Sequence, residues 1–300
     1  MASTQNIAVI GLGSMGYGMA QSCLRAGHTT CGVDIAKTQM DRFRAEGGAD
    51  AALADIADSL DAALVVVLNA TQTEAVLFGE NGIVPKMRAG SVVIACATVP
   101  PDFAKTMENQ CQTHGVLYLD APISGGAAKA AEGKLSIMAS GTAVAFAAAR
   151  PALDAVSETV FELGDAAGAG SAMKAVNQLL AGVHIAAMAE AMTFGMSQGV
   201  TPETFMKVIP NCAGTSWMLE NRGPHIVDGD YTPRSQVNIW PKDLGIVLDI
   251  ARGAKFGAPV TAAALQQFLA AADMGHGGED DASVAKVYAR NAGLTLPGDA

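Results

Sequence analysis

The chain reads as an α/β domain over residues 1–164 followed by an all-helical domain over residues 165–300, joined by a long helix. Three observations predict this. Up to Gly164, short β-branched runs alternate with helical patterns, as in a parallel sheet covered by helices. Beyond Gly164 only helical periodicity remains. At the junction Gly168-Ala-Gly170 opens an unbroken helical pattern that runs from Gly170 to about Gln198, roughly 29 residues or about 43 Å at ~1.5 Å per residue, which is long enough to span two domains.

Ile7 to Ile10 is the first strand, and the helix after it runs from about Ser14 to Ala26, where Gly27 stops it. Thr29 to Val33 is the second strand and ends at Asp34. A helix from Lys37 to Glu46 closes on Gly47-Gly48, where a left-handed cap is available. Ala62 to Leu68 is an apolar run of strand length that needs cover on both faces, so it is the central strand. Ser91 to Ala95 and Val116 to Leu119 are two more strands, separated by a helix from Pro101 to about His114. Leu135 to Ala139 and Thr159 to Leu163 read as closing strands, with a helix around Val144 to Ala149 between them. The helical half then places helices at Pro202 to Ile209, Trp217 to Val227, Lys242 to Ala254, Thr261 to Met274 and Ala282 to Ala289.

Composition narrows the function. Half of the 300 residues are hydrophobic and 16% are charged, against about 25% in an average domain, which excludes disorder and coiled coil. Nineteen Lys and Arg against 29 Asp and Glu leave a net charge of −10, so nucleic acid and anionic membrane surfaces are not expected partners. The five cysteines, Cys23, Cys31, Cys96, Cys111 and Cys212, are scattered and lack metal-ligand spacing. They read as reduced thiols in a cytoplasmic protein without bound metal. The N-terminus has no basic leader. The near-apolar stretch from Leu179 to Met196 contains His184 and Glu190 and is rich in Ala and Met, so it reads as a buried helix rather than a membrane span. Gly is in surplus, 33 residues against 12 Pro, and no fibrous repeat accounts for it.

Part of that surplus sits in motifs. Gly11-Leu12-Gly13-Ser14-Met15-Gly16 follows a strand and opens a helix, the context in which G-x-G-x-x-G binds a dinucleotide. Gly11 permits the turn, Gly13 removes a Cβ that would block a pyrophosphate, and Gly16 allows close helix–strand packing. The pyrophosphate lies on the helix N-terminus, where N–H groups and the dipole favour negative charge. Asp34, 18 residues on at the end of the next strand, suits the ribose 2′-OH of NAD and repels the 2′-phosphate of NADP. The first domain is therefore expected to be a Rossmann-type NAD-binding domain. Asp120-Ala-Pro-Ile-Ser124-Gly125-Gly126 follows another strand and offers a hydroxyl and side-chain-free N–H groups to a carboxylate. Lys174, Asn177 and Gln178 share one side of the long helix, with Gly168 and Gly170 one turn upstream to admit a ligand. Lys242 starts a later helix, where a cation opposes the dipole and calls for a partner.

These four motifs in this order resemble the β-hydroxyacid dehydrogenase family, which contains 3-hydroxyisobutyrate dehydrogenase and tartronate semialdehyde reductase, and the resemblance spans essentially the whole chain. It implies that Lys174 is the catalytic residue and that Ser124, Gly125, Gly126, Asn177 and Gln178 bind substrate. It implies that Asn69, Thr98 and Lys242 join Gly11 to Gly16 and Asp34 in binding NAD. Relatives carry Ser before the Thr that is Thr98 here, and this chain has Ala97. Several relatives have Asn where Gln178 stands. The stretches 178–187, 213–222 and 227–233 are similar to the L-threonate-oxidising subgroup of that family, which implies NAD-dependent oxidation of a C2 hydroxyl to 2-oxo-tetronate. Tartronate semialdehyde and 3-hydroxyisobutyrate are the alternative substrates, and a non-catalytic NAD-binding sensor is the alternative of another class. Lys174 either takes the hydroxyl proton as a base, for which its pKa must fall from ~10.4, or stays charged and stabilises the alkoxide. The Ala- and Met-rich helical half implies a homodimer or homotetramer.

Overall fold

The computed structural model describes residues 4–299. It comprises two compact units, one ending at Lys174 and the other beginning at Ala175.

The first unit is built on a five-stranded parallel sheet in the order β2-β1-β3-β4-β5. In chain order its elements are β1 (Asn6–Ile10), α1 (Gly16–Arg25), β2 (Thr29–Val33), α2 (Lys37–Ala45), α3 (Leu53–Ile56), β3 (Ala62–Val65), α4 (Ala70–Phe78), β4 (Val92–Ala95), α5 (Pro101–Thr113), β5 (Leu117–Asp120), β6 (Ile123–Ser124), α6 (Gly126–Glu132), β7 (Leu135–Ala139), α7 (Ala143–Val156) and β8 (Ser157–Glu162), followed by the start of α8 (Ala169–Ser197). Alternate residues of a strand serve opposite faces. Val9, Leu64, Ile94 and Leu119 pack with Met19 of α1 and Leu153 of α7, while Ile10, Val65 and Val93 pack with Leu77 of α4 and Met107 of α5. Every residue of β3 and β4 is buried, as their uninterrupted apolar runs require.

The first unit departs from the sequence expectation in several places. The strand predicted to reach Leu68 stops at Val65, because the chain then turns over Gly11 and Asn69 caps a helix, α4, that the sequence did not signal. The predicted closing strands do not extend the main sheet. They form a second sheet in the order β6-β7-β8, and β5 meets Ser140 only through an isolated antiparallel bridge at Asp120. The helix expected to end near Ala149 continues through Pro151 to Val156. An interior proline costs about 3 kcal/mol, and the buried apolar side of α7, with Phe146, Leu153 and Val156, offsets it.

The second unit holds the rest of α8 with α9 (Pro202–Val208), α10 (Trp217–Asp228), α11 (Ile239–Gly253), α12 (Pro259–Ala271) and α13 (Ala285–Ala292). Thr201 and Ser216 cap α9 and α10 by accepting from the N–H groups of Thr204 and Leu219, and left-handed glycines at 229 and 293 end α10 and α13. The core gathers Ile185, Met188 and Met192 of α8 with Phe205, Ile226 and Leu244, and Trp240 stacks on Phe268 with centroids 5.5 Å apart. The 29 residues of α8 are long and apolar enough to cross a membrane by length and composition. One side of the helix, however, is a core element of the second unit.

Candidate active site

In the first unit the glycine turn has the shape that its sequence demands. Gly11 has φ +98°, and a Cβ there would strike the Val66 carbonyl. A Cβ at Gly16 would collide with the Gly11 carbonyl, so the start of α1 presses on the end of β1. Gly13 differs: a Cβ there meets no atom within 4 Å, so the missing side chain leaves space rather than relieving a contact. No side chain caps α1 at Met15. Open space beside an uncapped helix N-terminus fits a pyrophosphate. Asp34 lies at the same turn, its Oδ2 accepting from the Leu12 N–H (2.6 Å) and its Oδ1 from the Ala36 N–H (2.8 Å). Each carboxylate oxygen keeps a further lone pair for a ribose hydroxyl. The nearby cation, Lys37, pairs with Asp41 at 2.7 Å. This donor set fits NAD. Asn69 accepts from the Gln72 N–H (2.9 Å) as the cap of α4, and Thr98 is half-buried just after β4.

The loop from Asp120 to Gly126 is not uniform. Ser124 ends β6, paired with Ser136 of β7. Gly125 and Gly126 have φ of +136° and +78°, and a Cβ at Gly126 meets nothing within 4 Å. Gly126 then opens α6, which is locked to α1: a Cβ at Gly18 would stand 2.6 Å from the Ala131 nitrogen, and the Ser22 hydroxyl donates to the Ala130 carbonyl (3.0 Å). Lys174 is 8% exposed, and its Nζ donates to the Ile123 carbonyl at 2.8 Å. The fold thus sets the lysine beside the residue that precedes Ser124, some 50 positions earlier in the chain.

What holds that lysine in place was not identified from the sequence. Asp120, 1% exposed, accepts from the Gly168 N–H (2.9 Å), the Ser171 N–H (2.8 Å), the Ser171 hydroxyl (2.7 Å) and the Ser140 hydroxyl (3.3 Å). Ser140 in turn accepts from the Gly170 N–H (2.9 Å). The carboxylate is the cap of α8, one turn before Lys174. Burial pushes the Asp120 carboxyl above its usual range, and these hydrogen bonds pull it part of the way back. The glycines at 168 and 170 therefore admit protein rather than ligand. A Cβ at Gly170 would strike the Met138 carbonyl, and one at Gly168 would stand 2.9 Å from the Lys105 Cε.

In the second unit α11 starts three residues earlier than the sequence suggests, at Ile239, so Lys242 lies one turn inside it. Its Nζ is 2.5 Å from Asp243 Oδ1. Gln178 Nε2 donates to Asp243 Oδ2, and Asn177 Nδ2 donates to Gln178 Oε1 at 2.9 Å. Gln178 and Asp243 are 7% and 2% exposed. Gly182, one turn beyond Gln178, makes this contact possible, since a Cβ there would be 2.9 Å from Leu244 Cδ2 and Trp240 Cε3.

Comparison with known proteins places the chain in a family. Residues 6–164 match the family described as the NAD-binding domain of 6-phosphogluconate dehydrogenase, and residues 168–288 match the NAD-binding region of NADP-dependent 3-hydroxyisobutyrate dehydrogenase. The chain is 52% identical to the L-threonate dehydrogenase of Cupriavidus necator, over 99% of each chain. It is 32% identical to the 3-hydroxyisobutyrate dehydrogenase of Pseudomonas aeruginosa, over 94% of this chain and 98% of that one. A crystal structure described as 3-hydroxyisobutyrate dehydrogenase from Salmonella typhimurium, 44% identical, superposes with a TM-score of 0.89 over 94% of this chain and 99% of that one.

Proposed function

The chain belongs to the β-hydroxyacid dehydrogenase family, and from that premise we propose that it oxidises the C2 hydroxyl of L-threonate to 2-oxo-tetronate with NAD. It is an NAD-dependent hydroxyacid dehydrogenase, and its near-full-length similarity to L-threonate dehydrogenases supports the substrate. The observation that carries the reading is the bond from Lys174 to the Ile123 carbonyl. It sets a buried amine beside the Ser124-Gly125-Gly126 turn, so that a hydroxy acid with its carboxylate on the N–H groups of that turn brings its hydroxyl towards Nζ.

When bound, NAD supplies the hydride acceptor, C4 of its nicotinamide. Gly11 to Gly16 would cradle its pyrophosphate and Asp34 would hold its ribose, with Asn69 and Thr98 as further cofactor-binding residues of the first unit and Lys242 as the one proposed on the second. Ser124, Gly125 and Gly126 would orient the carboxylate, and Asn177 and Gln178 are proposed as further substrate-binding residues. Lys174 takes the hydroxyl proton as the carbinol C–H bond breaks, and in its charged form it stabilises the alkoxide.

The chain acts as a homo-oligomer in this reading. On the second unit's part of α8, Val176, Leu180 and Phe194 are 54%, 49% and 67% exposed, an apolar stripe at helical spacing that a second copy would cover. The five cysteines are all free thiols, which fits a cytoplasmic setting.

The test is NADH formation followed by absorbance over L-threonate, D-threonate, D-glycerate and 3-hydroxyisobutyrate, repeated with NADP. L-Threonate with NAD is expected to give the highest kcat/KM. Equal or better turnover of another acid would overturn the substrate. Normal turnover by Lys174→Ala with cofactor bound would overturn the mechanism.

A further inference from the structure

The side-chain amide of Gln178 has only one way to face. Asp243 is buried and its carboxylate only accepts, so the end of Gln178 turned towards it must be the NH2 group. Nε2 donates to Asp243 Oδ2, and Lys242 balances the charge from the other side at 2.5 Å. With Nε2 committed, Oε1 is the end left to accept, and it takes a hydrogen bond from Asn177 Nδ2. The amide of Asn177 is therefore oriented in turn. Its nitrogen points at Gln178, and its carbonyl oxygen is the end it presents elsewhere. An isolated asparagine offers donor and acceptor equally, whereas here the negative charge of Asp243, transmitted through one glutamine, selects the acceptor.

We propose that Gln178 is a positioning residue that sets Asn177 as a hydrogen-bond acceptor, so that position 177 selects a hydroxyl of the substrate over a group that can only accept. This rests on the reading in which Asn177 contacts substrate.

The experiment swaps the polarity and then restores it. Q178E places two carboxylates face to face, and their repulsion turns the side chain at 178 away from Asp243 and from Asn177. In Q178E/D243N the carboxylate introduced at 178 accepts both from the amide introduced at 243 and from Asn177, which restores the orientation of Asn177 with the same net charge. For L-threonate oxidation near neutral pH, Q178E is expected to lose about 10-fold or more in kcat/KM, the scale of one mis-set hydrogen bond. Q178E/D243N is expected to recover most of that loss. Activity of Q178E should also rise as the pH is lowered, because two carboxylates in contact come to share a proton; a role in packing alone would not produce this. Wild-type kcat/KM in Q178E overturns the proposal, as does a double variant no better than Q178E when both have the native circular dichroism spectrum. If Q178E does not fold, Q178M replaces it, with the same ~10-fold loss expected and an unchanged kcat/KM refuting the proposal. Absence of L-threonate oxidation by the wild type would refute the substrate reading instead, and the same variants are then compared on whichever hydroxy acid the wild type oxidises fastest.

Discussion

Asp120→Ala is expected to be among the most damaging single substitutions in the first unit. The carboxylate accepts four hydrogen bonds in a site that is 1% exposed. The two hydroxyl donors, on Ser140 and Ser171, can rotate to other acceptors. The N–H groups of Gly168 and Ser171 cannot, because the backbone of the first turn of α8 fixes their direction. An orphaned buried N–H costs about 1–3 kcal/mol, so the pair gives a loss of about 2–6 kcal/mol, at the large end for point substitutions. Asp120→Asn keeps one oxygen for those two N–H groups and loses only the charge at a helix N-terminus, about 1–2 kcal/mol. Urea unfolding followed by far-ultraviolet circular dichroism measures both, and hydrogen exchange at Gly168 and Ser171 localises the effect. Because Lys174 sits one turn beyond Ser171, Asp120→Ala should also lower kcat more than it raises KM. A loss below about 1 kcal/mol for Asp120→Ala, against the expected cost of two orphaned donors, would refute the claim that this carboxylate caps the helix.

The other predictions test separate parts of the molecule. Gly13→Ala, whose Cβ meets nothing within 4 Å, should leave the unfolding midpoint unchanged and weaken NAD binding by about 10-fold or more, measured by fluorescence titration; unaltered affinity would remove the pyrophosphate from that space. Burial alone would raise the Asp280 carboxyl, but hydrogen bonds from His225 and from the Arg234 and Ala282 N–H groups outweigh it and hold it below its usual range. A depressed folded value contributes stability that is present above the ordinary carboxylate range, ~3.9, and is lost as pH falls through the folded value. Asp280→Asn should therefore flatten the acid limb of the stability profile in urea titrations from neutral to low pH, and an unchanged slope would count against it. Leu180→Glu places a charge on the exposed stripe of α8 and should shift sedimentation equilibrium towards a smaller species without loss of helicity; an unchanged mass would place the subunit contact elsewhere.

Much of this organisation was readable before any coordinates, and the exceptions have physical reasons. The glycine turn, Asp34 and the 29-residue helix are local patterns, with every element of the signal inside one short window, and they stand where expected. The cap at Asp120 joins residues 48 and 51 positions apart, and nothing in either segment alone announces the other. The same distance effect misdirected the reading of Gly168 and Gly170. A glycine admits whatever is close, and only the fold tells a ligand from the Met138 carbonyl. The cation at Lys242 called for a partner, and one proved to be its own neighbour, Asp243. The link from Asp243 to Gln178 spans 65 positions and depends on Gly182, an unremarked glycine inside a helix.

The backbone contact between α1 and α6 at Gly18 has a consequence for substrate choice. The helix that starts at the Gly11–Gly16 turn and the helix that starts at Gly126 meet at Gly18 with no side chain between them, so neither can slide without the other. The gap between the Gly11–Gly16 turn and the Ser124–Gly126 turn is then a fixed gauge. With a pyrophosphate on the first turn and a carboxylate on the second, as proposed, it would set how far the carboxylate lies from the carbon that gives up its hydride, whatever the side chains around the substrate become.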